Sequence, residues 1–162
     1  MRKEKIIYRI VGVGVILLSF TYGCRPNING RLTGEPNTTI EEKRDISKYP
    51  DIQNETNINN LTEDMIEDSC LNERGIGDCG TYTRPYAAYE RLSQIASANE
   101  LFELTKAFDP IIRIYSVRAL KVKNDSLFKL AQKRLSKDTA TVCWYSGCIK
   151  MNGTQVSFFV KD

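Results

Sequence analysis

Residues 109–120 read Asp-Pro-Ile-Ile-Arg-Ile-Tyr-Ser-Val-Arg-Ala-Leu, and this stretch decides the fold of the chain. An aspartate before a helix accepts hydrogen bonds from the first turn, and a proline suits the first helical position because no N–H donor is needed there. Asp109 and Pro110 therefore predict a helix that runs to about Val122.

The same kinds of signal predict further helices on both sides of this stretch. Thr62 caps a short N-terminal helix that Gly75 ends, and three others lie at about 85–98, 100–108 and 124–135. The last of these places Leu127, Leu130, Ala131 and Leu135 on one face. Because the connections are short, neighbouring helices must pack antiparallel.

The stretch also resembles the second helix of a HEAT-like repeat, whose pattern is Asp-Pro-x-Val-Arg-x-x-Ala-x-x-Ala-Leu. The matching residues are Asp109, Pro110, Ile112, Arg113, Ser116, Ala119 and Leu120. Lys137-Asp138 recurs 29 residues after Phe108-Asp109, followed by Val142 but without the proline and arginine. The resemblance covers about residues 84–142 and implies a mainly α fold of short antiparallel helices stacked as a HEAT-like bundle. A generic helical bundle is the alternative.

The C-terminal residues favour strand instead. Val142–Tyr145 and Gln155–Val160 have strand-forming composition, and Asn152-Gly153 between them is a hairpin-type turn signal. We expect a small β-hairpin or an extended cap after the helices.

The N-terminus has the composition of a signal peptide. Basic residues precede an uncharged apolar run from Ile10 to Phe20. This run is shorter than the roughly twenty residues that a membrane-spanning helix needs, so cleavage is expected rather than a permanent transmembrane anchor.

Thr21-Tyr22-Gly23-Cys24 resembles a lipobox, with Gly23 before the cysteine that would become the lipidated N-terminus. Thr21 stands where a leucine-like residue is usual. The resemblance implies a bacterial lipoprotein held in a membrane by acyl chains such as palmitate on Cys24, and the whole chain is similar to small lipoproteins of Bacteroidota. An ordinary signal peptide followed by an incidental cysteine is the alternative.

Three regions follow from these features. Residues 1–23 form the signal peptide, and 24–61 the lipidated N-terminus and a flexible tether rich in Asn, Thr, Glu and Lys. Residues 62–162 form a disulfide-stabilised helical domain. The expected location is the bacterial cell envelope, with the choice of inner or outer membrane and of periplasmic or surface side left open.

Four cysteines remain after Cys24, and they permit three pairings. The pairing between sequence neighbours, Cys70 with Cys79 and Cys143 with Cys148, closes two short loops and is the preferred one.

Charge and composition narrow the function. Removal of residues 1–23 leaves nineteen basic and nineteen acidic residues, so neither a nucleic-acid-binding surface nor a polybasic membrane patch is expected. The chain has no histidine, which removes Ser-His and Cys-His catalytic pairs and histidine metal ligands. We expect no cofactor, no metal and no enzymatic activity. Catalysis by carboxylates, for example those of residues 63–68, is a minor alternative to their ordinary role at a helix start.

Two aromatic groups are candidate interaction residues. Trp144 and Tyr145 lie between Cys143 and Cys148, where a closed loop would hold large rings at little entropic cost. Tyr86 and Tyr89 lie at helical spacing, which also fits residues of the core. The sequence therefore predicts a non-enzymatic interaction module for another envelope protein, anchored to the membrane by lipid. An inhibitor or immunity protein against an envelope toxin or hydrolase is the alternative.

Overall fold

The computed structural model describes residues 45–77 and 80–161. The chain is mainly helical with a small sheet, as predicted. The elements are a 3₁₀ turn at Asp45–Lys48, α1 (Pro50–Asn54), α2 (Ile58–Ile66), β1 (Cys70–Leu71), α3 (Arg84–Ile95), α4 (Ala98–Leu104), α5 (Pro110–Lys123), α6 (Asp125–Leu135), β2 (Thr141–Ser146), β3 (Ile149–Gln155) and α7 (Val156–Phe159).

Helix α5 is the centre of the domain and begins as the sequence predicts. The Asp109 side chain accepts a hydrogen bond from the Ile111 backbone N–H at 2.7 Å, and Pro110 occupies the first turn. Ile114, Tyr115 and Leu120 are fully buried. Helices α2, α3, α4, α6 and α7 and strand β2 all pack against α5.

The neighbouring helices start at side-chain caps. Thr83 caps α3, and Ser97 forms a reciprocal capping box with Glu100 at the start of α4. Asn124 both ends α5 and caps α6. The predicted helix at 100–108 is shorter, because α4 ends at Leu104, and this leaves Phe108 fully exposed.

The folded part begins earlier than predicted. Asn57, rather than Thr62, caps α2, and its side chain accepts a hydrogen bond from the Asn59 backbone N–H at 2.9 Å. Ile52 and Leu61 are buried in the core. Residues 45–61 are thus packed against the domain, and the predicted tether does not extend to residue 61. The remainder of that tether, residues 24–44, lies outside the described residues.

The N-terminal helix also ends earlier than predicted. Helix α2 stops at Ile66, and Ser69 adopts a left-handed φ of 53°. Strand β1 follows and pairs in parallel with β2, with Cys70 opposite Cys143. The local pairing expected from the sequence is therefore wrong, because Cys70 forms a disulfide with Cys143 across 73 residues.

The C-terminal hairpin is present, but its turn differs from the predicted one. Strands β2 and β3 pair antiparallel with Ser146 opposite Ile149, so the turn lies at residues 147–148. Asn152-Gly153 instead forms a bulge in β3, where Gly153 has a φ of 73°. Residues 156–159, predicted as strand, form α7, since Val156 turns into the core.

Within the described part of the chain, none of the helices has the length and apolar character required to cross a membrane.

Candidate interaction surface

Tyr86 and Tyr89 belong to a continuous series of aromatic contacts rather than to an open surface. Their ring centroids are 5.4 Å apart, Tyr82 lies 5.8 Å from Tyr86, and Tyr115 stacks on Tyr89 at 4.8 Å. Burial raises the pKa of Tyr86 to about 12 and also raises the pKa of Tyr89. These tyrosines therefore join α3 to α5 as part of the core, and Tyr86 and Tyr89 are half-buried.

The series ends at a hydrogen-bonded pair deep in the domain. The Asn72 backbone N–H donates to the Tyr115 hydroxyl at 3.0 Å, and that hydroxyl donates to the Asn72 carbonyl at 2.8 Å. Both residues are fully buried. The pair fixes the segment after β1 against α5.

Tyr86 and Tyr89 line a cavity of about 280 Å³ between α3 and α5. Glu90, Ser93 and Lys123 supply its polar groups. The Lys123 ammonium donates hydrogen bonds to the carbonyl oxygens of residues 94 and 96 at the end of α3. The cavity is therefore bounded by groups that hold the two helices together.

A second groove, of 520 Å³, runs along α4. Ile58, Leu104 and Ala107 form its apolar wall, and Glu100 and Glu103 lie at its side. The groove is wide open, and Glu103 is paired with Lys106 at 2.6 Å. No sequence signal had marked this region.

Trp144 and Tyr145 lie in β2, the central strand of the sheet, and both are half-buried. The Trp144 indole N–H donates to the Thr154 hydroxyl at 3.0 Å. The Lys150 ammonium lies 5.7 Å from the Tyr145 ring centroid. Their rigidity comes from pairing with β3 and from the adjacent Cys70–Cys143 disulfide, and not from a loop closed between Cys143 and Cys148.

Trp144 forms the base of an exposed apolar surface on the hairpin. Its ring centroid is 6.1 Å from that of Phe158, and Met151 is its cross-strand partner. Ile149 follows on the same side of β3, and Ile149 and Phe158 are 63% and 53% exposed. We call Trp144, Ile149, Met151 and Phe158 the hairpin patch.

No family model, curated protein or solved structure matches this chain.

Sequence reasoning found Trp144 but missed its three partners. Ile149 and Met151 alternate along β3, and this alternation becomes visible only when the turn is placed at residues 147–148. The sequence predicts Phe158 on a strand, whereas it lies in α7. A helix period in Val156–Phe159 is too short to recognise by pattern.

Charge is unevenly distributed along the domain, although the whole is close to neutral. Residues 45–109 contain thirteen acidic and five basic side chains, whereas residues 110–161 contain two acidic and ten basic ones. The acidic helices α1 and α2 pack on α3, while the lysine-rich α6 packs on α4 and α5. A basic surface therefore exists despite the neutral total, and charge sums taken over each half of the sequence would have indicated it.

The acidic residues of α2 and the turn after it take part in structural contacts. Asp64 accepts a hydrogen bond from Arg84 at 2.8 Å, and Arg84 also pairs with Asp51 at 2.6 Å. Asp68 accepts one from the Asn72 side-chain amide at 2.8 Å. The described residues contain no group of three or more potential metal ligands. These carboxylates join α1, α2 and α3.

Two of the predicted site residues lie outside the part of the chain that the structure describes. They are Cys24, the expected lipidation site, and Cys79. Cys148 is exposed in the hairpin turn, where the adjacent Gly147 carbonyl accepts a hydrogen bond from the Gly77 N–H at 3.0 Å.

Proposed function

We propose that this protein is a cell-envelope lipoprotein, anchored through acyl chains on Cys24, whose helical domain binds another envelope protein without catalysing a reaction. The lipobox-like residues Thr21–Cys24 support the anchor. One acyl chain gives only marginal membrane binding, and the two or three chains of a bacterial lipoprotein give stable attachment.

The hairpin patch is the observation that carries the binding function. Large apolar side chains exposed together on one surface mark interaction sites more often than single exposed ones. Ile149, Met151 and Phe158 are all exposed beside Trp144. Trp144 is held by its bond to Thr154, so little conformational entropy is lost when a partner covers it.

A non-enzymatic role agrees with the chemistry on the chain. The sequence has no histidine. Asp64 is bound by Arg84, and Asp68 is bound by Asn72. Each of these carboxylates already has a structural partner, which supports their assignment to stability rather than to acid–base chemistry.

We also infer HEAT-like stacking of the helices. Asp138, the repeat equivalent of Asp109, accepts a hydrogen bond from the Ala140 N–H at 3.0 Å, as Asp109 does from Ile111. The Arg113 guanidinium pairs with Asp138 at 2.8 Å, which links the first motif to the second. The second copy keeps its cap, but β2 replaces its helix.

The inhibitor or immunity alternative has less support. It relied on a loop closed between Cys143 and Cys148, and Cys143 is bonded to Cys70. The hairpin patch would serve an inhibitor as well as any other binding protein. A toxin or hydrolase recovered as the crosslinked partner would favour this alternative.

Site-specific photo-crosslinking in the native envelope tests the binding function. A crosslinking residue at Phe158 is expected to give one dominant protein adduct. The matched control is the same residue at Glu63, which is exposed on α2 at the acidic side of the domain. Repeated absence of an adduct at Phe158, or identical adducts at both positions, would contradict the proposal.

Intact mass tests the anchor separately. Protein extracted from its native membrane is expected to have the mass of residues 24–162 plus acyl chains. Cys24→Ser is expected to lose the acyl mass and to leave the membrane fraction after a high-salt wash. A retained signal sequence or an unmodified Cys24 would overturn the lipoprotein assignment.

A further inference from the structure

Four lysines form an exposed basic surface at α6 and the end of α5. Lys129 and Lys133 are one helical turn apart on α6, and Lys137 follows four residues later in the turn that ends the helix. The Lys121 ammonium lies 5.6 Å from the Phe128 ring centroid, which places it beside the start of α6. All four side chains are exposed. We call Lys121, Lys129, Lys133 and Lys137 the basic face.

The acidic groups of the same segment neutralise only one of these four lysines. Asp125 is paired with Lys129 at 2.7 Å. Asp138 is paired with Arg113 at 2.8 Å, and its side chain is only 17% exposed. Among the described residues, no carboxylate forms an ion pair with Lys121, Lys133 or Lys137.

The acidic groups on the packed neighbour α4 are also engaged. The Glu100 carboxylate accepts hydrogen bonds from the Ser97 backbone N–H at 2.8 Å and from its hydroxyl at 2.7 Å. Glu103 is paired with Lys106 at 2.6 Å. Because Glu100 and Glu103 already have these partners, neither forms an ion pair with a lysine of the basic face.

An exposed apolar residue adjoins the lysines of α6, since Leu130 is three residues before Lys133 on the same helix. Leu130 is 57% exposed, although the neighbouring Ala131 and Leu135 are buried. Lysines around an exposed aliphatic side chain are typical of surfaces that lie on a membrane, where lysine stems cover apolar area and the ammonium groups reach headgroups.

A different pair of packed helices carries the opposite charge. Exposed carboxylates of Glu63, Glu67 and Asp68 lie on α2 and in the turn after it, and α2 packs mainly on α3, whereas α6 packs on α4 and α5. A domain with this charge separation has one orientation that is favourable at a negatively charged surface and an opposite one that is unfavourable.

We propose that the basic face docks on the anionic headgroups of the membrane that carries the protein, and so fixes the orientation of the helical domain. The proposal rests on the membrane location given above, but it depends neither on the acyl chains nor on the hairpin patch. Negative headgroups complement the lysines, and Leu130 enters the headgroup region.

The expected strength follows from the number of lysines. Each basic residue near an anionic bilayer surface increases partitioning about fivefold, or ~1 kcal/mol. Four residues alone give weak and salt-dependent binding, because ions at physiological strength screen charges beyond about 8 Å. The basic face is therefore suited to orient a domain that is already anchored.

Vesicle binding by the chain without its anchor tests this directly. Residues 24–162 with Cys24→Ser are mixed at low salt with vesicles containing phosphatidylglycerol or with neutral phosphatidylcholine vesicles. Binding is expected only to the anionic vesicles, and it should fall as salt is raised.

Two double variants with the same change in net charge distinguish the contribution of the basic face from that of the net charge of the protein. Lys133→Glu with Lys137→Glu is expected to weaken binding at least about 25-fold, from two lysines at about fivefold each. Lys48→Glu with Lys150→Glu changes the net charge equally at exposed positions in the first 3₁₀ turn and in β3, and is expected to have a much smaller effect. Circular dichroism of each variant checks that the fold is kept.

Three outcomes would overturn the proposal. They are equal binding to both vesicle types, equal losses in the two double variants, and a photo-crosslinker at Lys133 that gives protein rather than lipid adducts in the native envelope. The last outcome would identify an acidic protein as the occupant. None of these results changes the mass or crosslinking tests at Cys24 and Phe158, so failure here is distinguishable from failure of the proposed function.

Discussion

Removal of the Cys70–Cys143 disulfide provides the sharpest test of the tertiary structure. The bond closes a loop of 73 residues, and a loop of that length is expected to stabilise the fold by about 4 kcal/mol through the entropy of the unfolded chain. The short loops of the local pairing would give about 2–3 kcal/mol each. Cys70 is also buried, so its truncation to alanine adds a smaller packing loss.

Three variants distinguish a bond from a mere contact. Cys70→Ala, Cys143→Ala and the double variant are unfolded in urea as the mature chain with Cys24→Ser. If the cysteines are bonded, each single variant should lose about as much stability as the double one, because either change removes the same cross-link. The expected fall in midpoint is about 2 M urea for a slope near 2 kcal/mol per M.

Peptide mapping without reduction completes the test. Trypsin cuts after Arg74, so the peptide 49–74, which contains Cys70, should be joined to peptide 138–150. Chymotrypsin then separates Cys143 from Cys148 at Trp144 and Tyr145 and identifies the bonded sulfur. Additive losses in the three variants, or a link from peptide 49–74 to the peptide that follows Arg74, would refute the parallel pairing of β1 with β2.

Three further predictions concern the core and its titration. Tyr115→Phe should destabilise the fold by about 2–4 kcal/mol in urea unfolding, because it leaves the buried Asn72 N–H and C=O without partners. An effect below about 0.5 kcal/mol would contradict the two hydrogen bonds between Tyr115 and Asn72. Arg113→Met should cost about 2 kcal/mol by the same measurement, because it removes the partner of Asp138, whose partial exposure lessens the penalty. Tyr86 has a folded-state pKa of about 12, above its unfolded value of 10.0, so its contribution to stability is complete below pH 10 and is lost as the pH rises towards 12. Tyrosinate absorbance titrated in native and urea-unfolded protein checks this, and identical curves would contradict the burial of its ring.

The sequence located the helices well where their starting signals are local. The Asp109 cap acts on an N–H two residues away, and the Asn124 side chain caps the Leu127 N–H three residues away at 3.0 Å. Such contacts form between residues that are always near one another, so the sequence pattern is sufficient to predict them. The central helix was therefore predicted within about one residue of its observed end.

The candidate site was only partly predictable. Trp144 stands out in any inspection because it is the only tryptophan, but its exposed neighbours depend on the register of β3. That register is set by the turn at residues 147–148 and by the bulge at Gly153. The predicted turn at Asn152-Gly153 is five residues away from the observed one, and a displacement by an odd number of residues changes which side chains share a face. Phe158, which the sequence predicts on a strand, lies in α7.

The sequence alone determined the helical class, the helix starts at Asp109 and Asn124, the absence of histidine and the lipobox-like start, because each is a property of neighbouring residues or of composition. Tertiary structure decided that Cys70 bonds Cys143, that Ile52 and Leu61 enter the core, and that the lysine-rich α6 packs on α4 and α5 while the acidic α2 packs mainly on α3. The physical reason is distance along the chain. Contacts between segments tens of residues apart form only when burial of the whole core offsets the entropy of closing the loops between them.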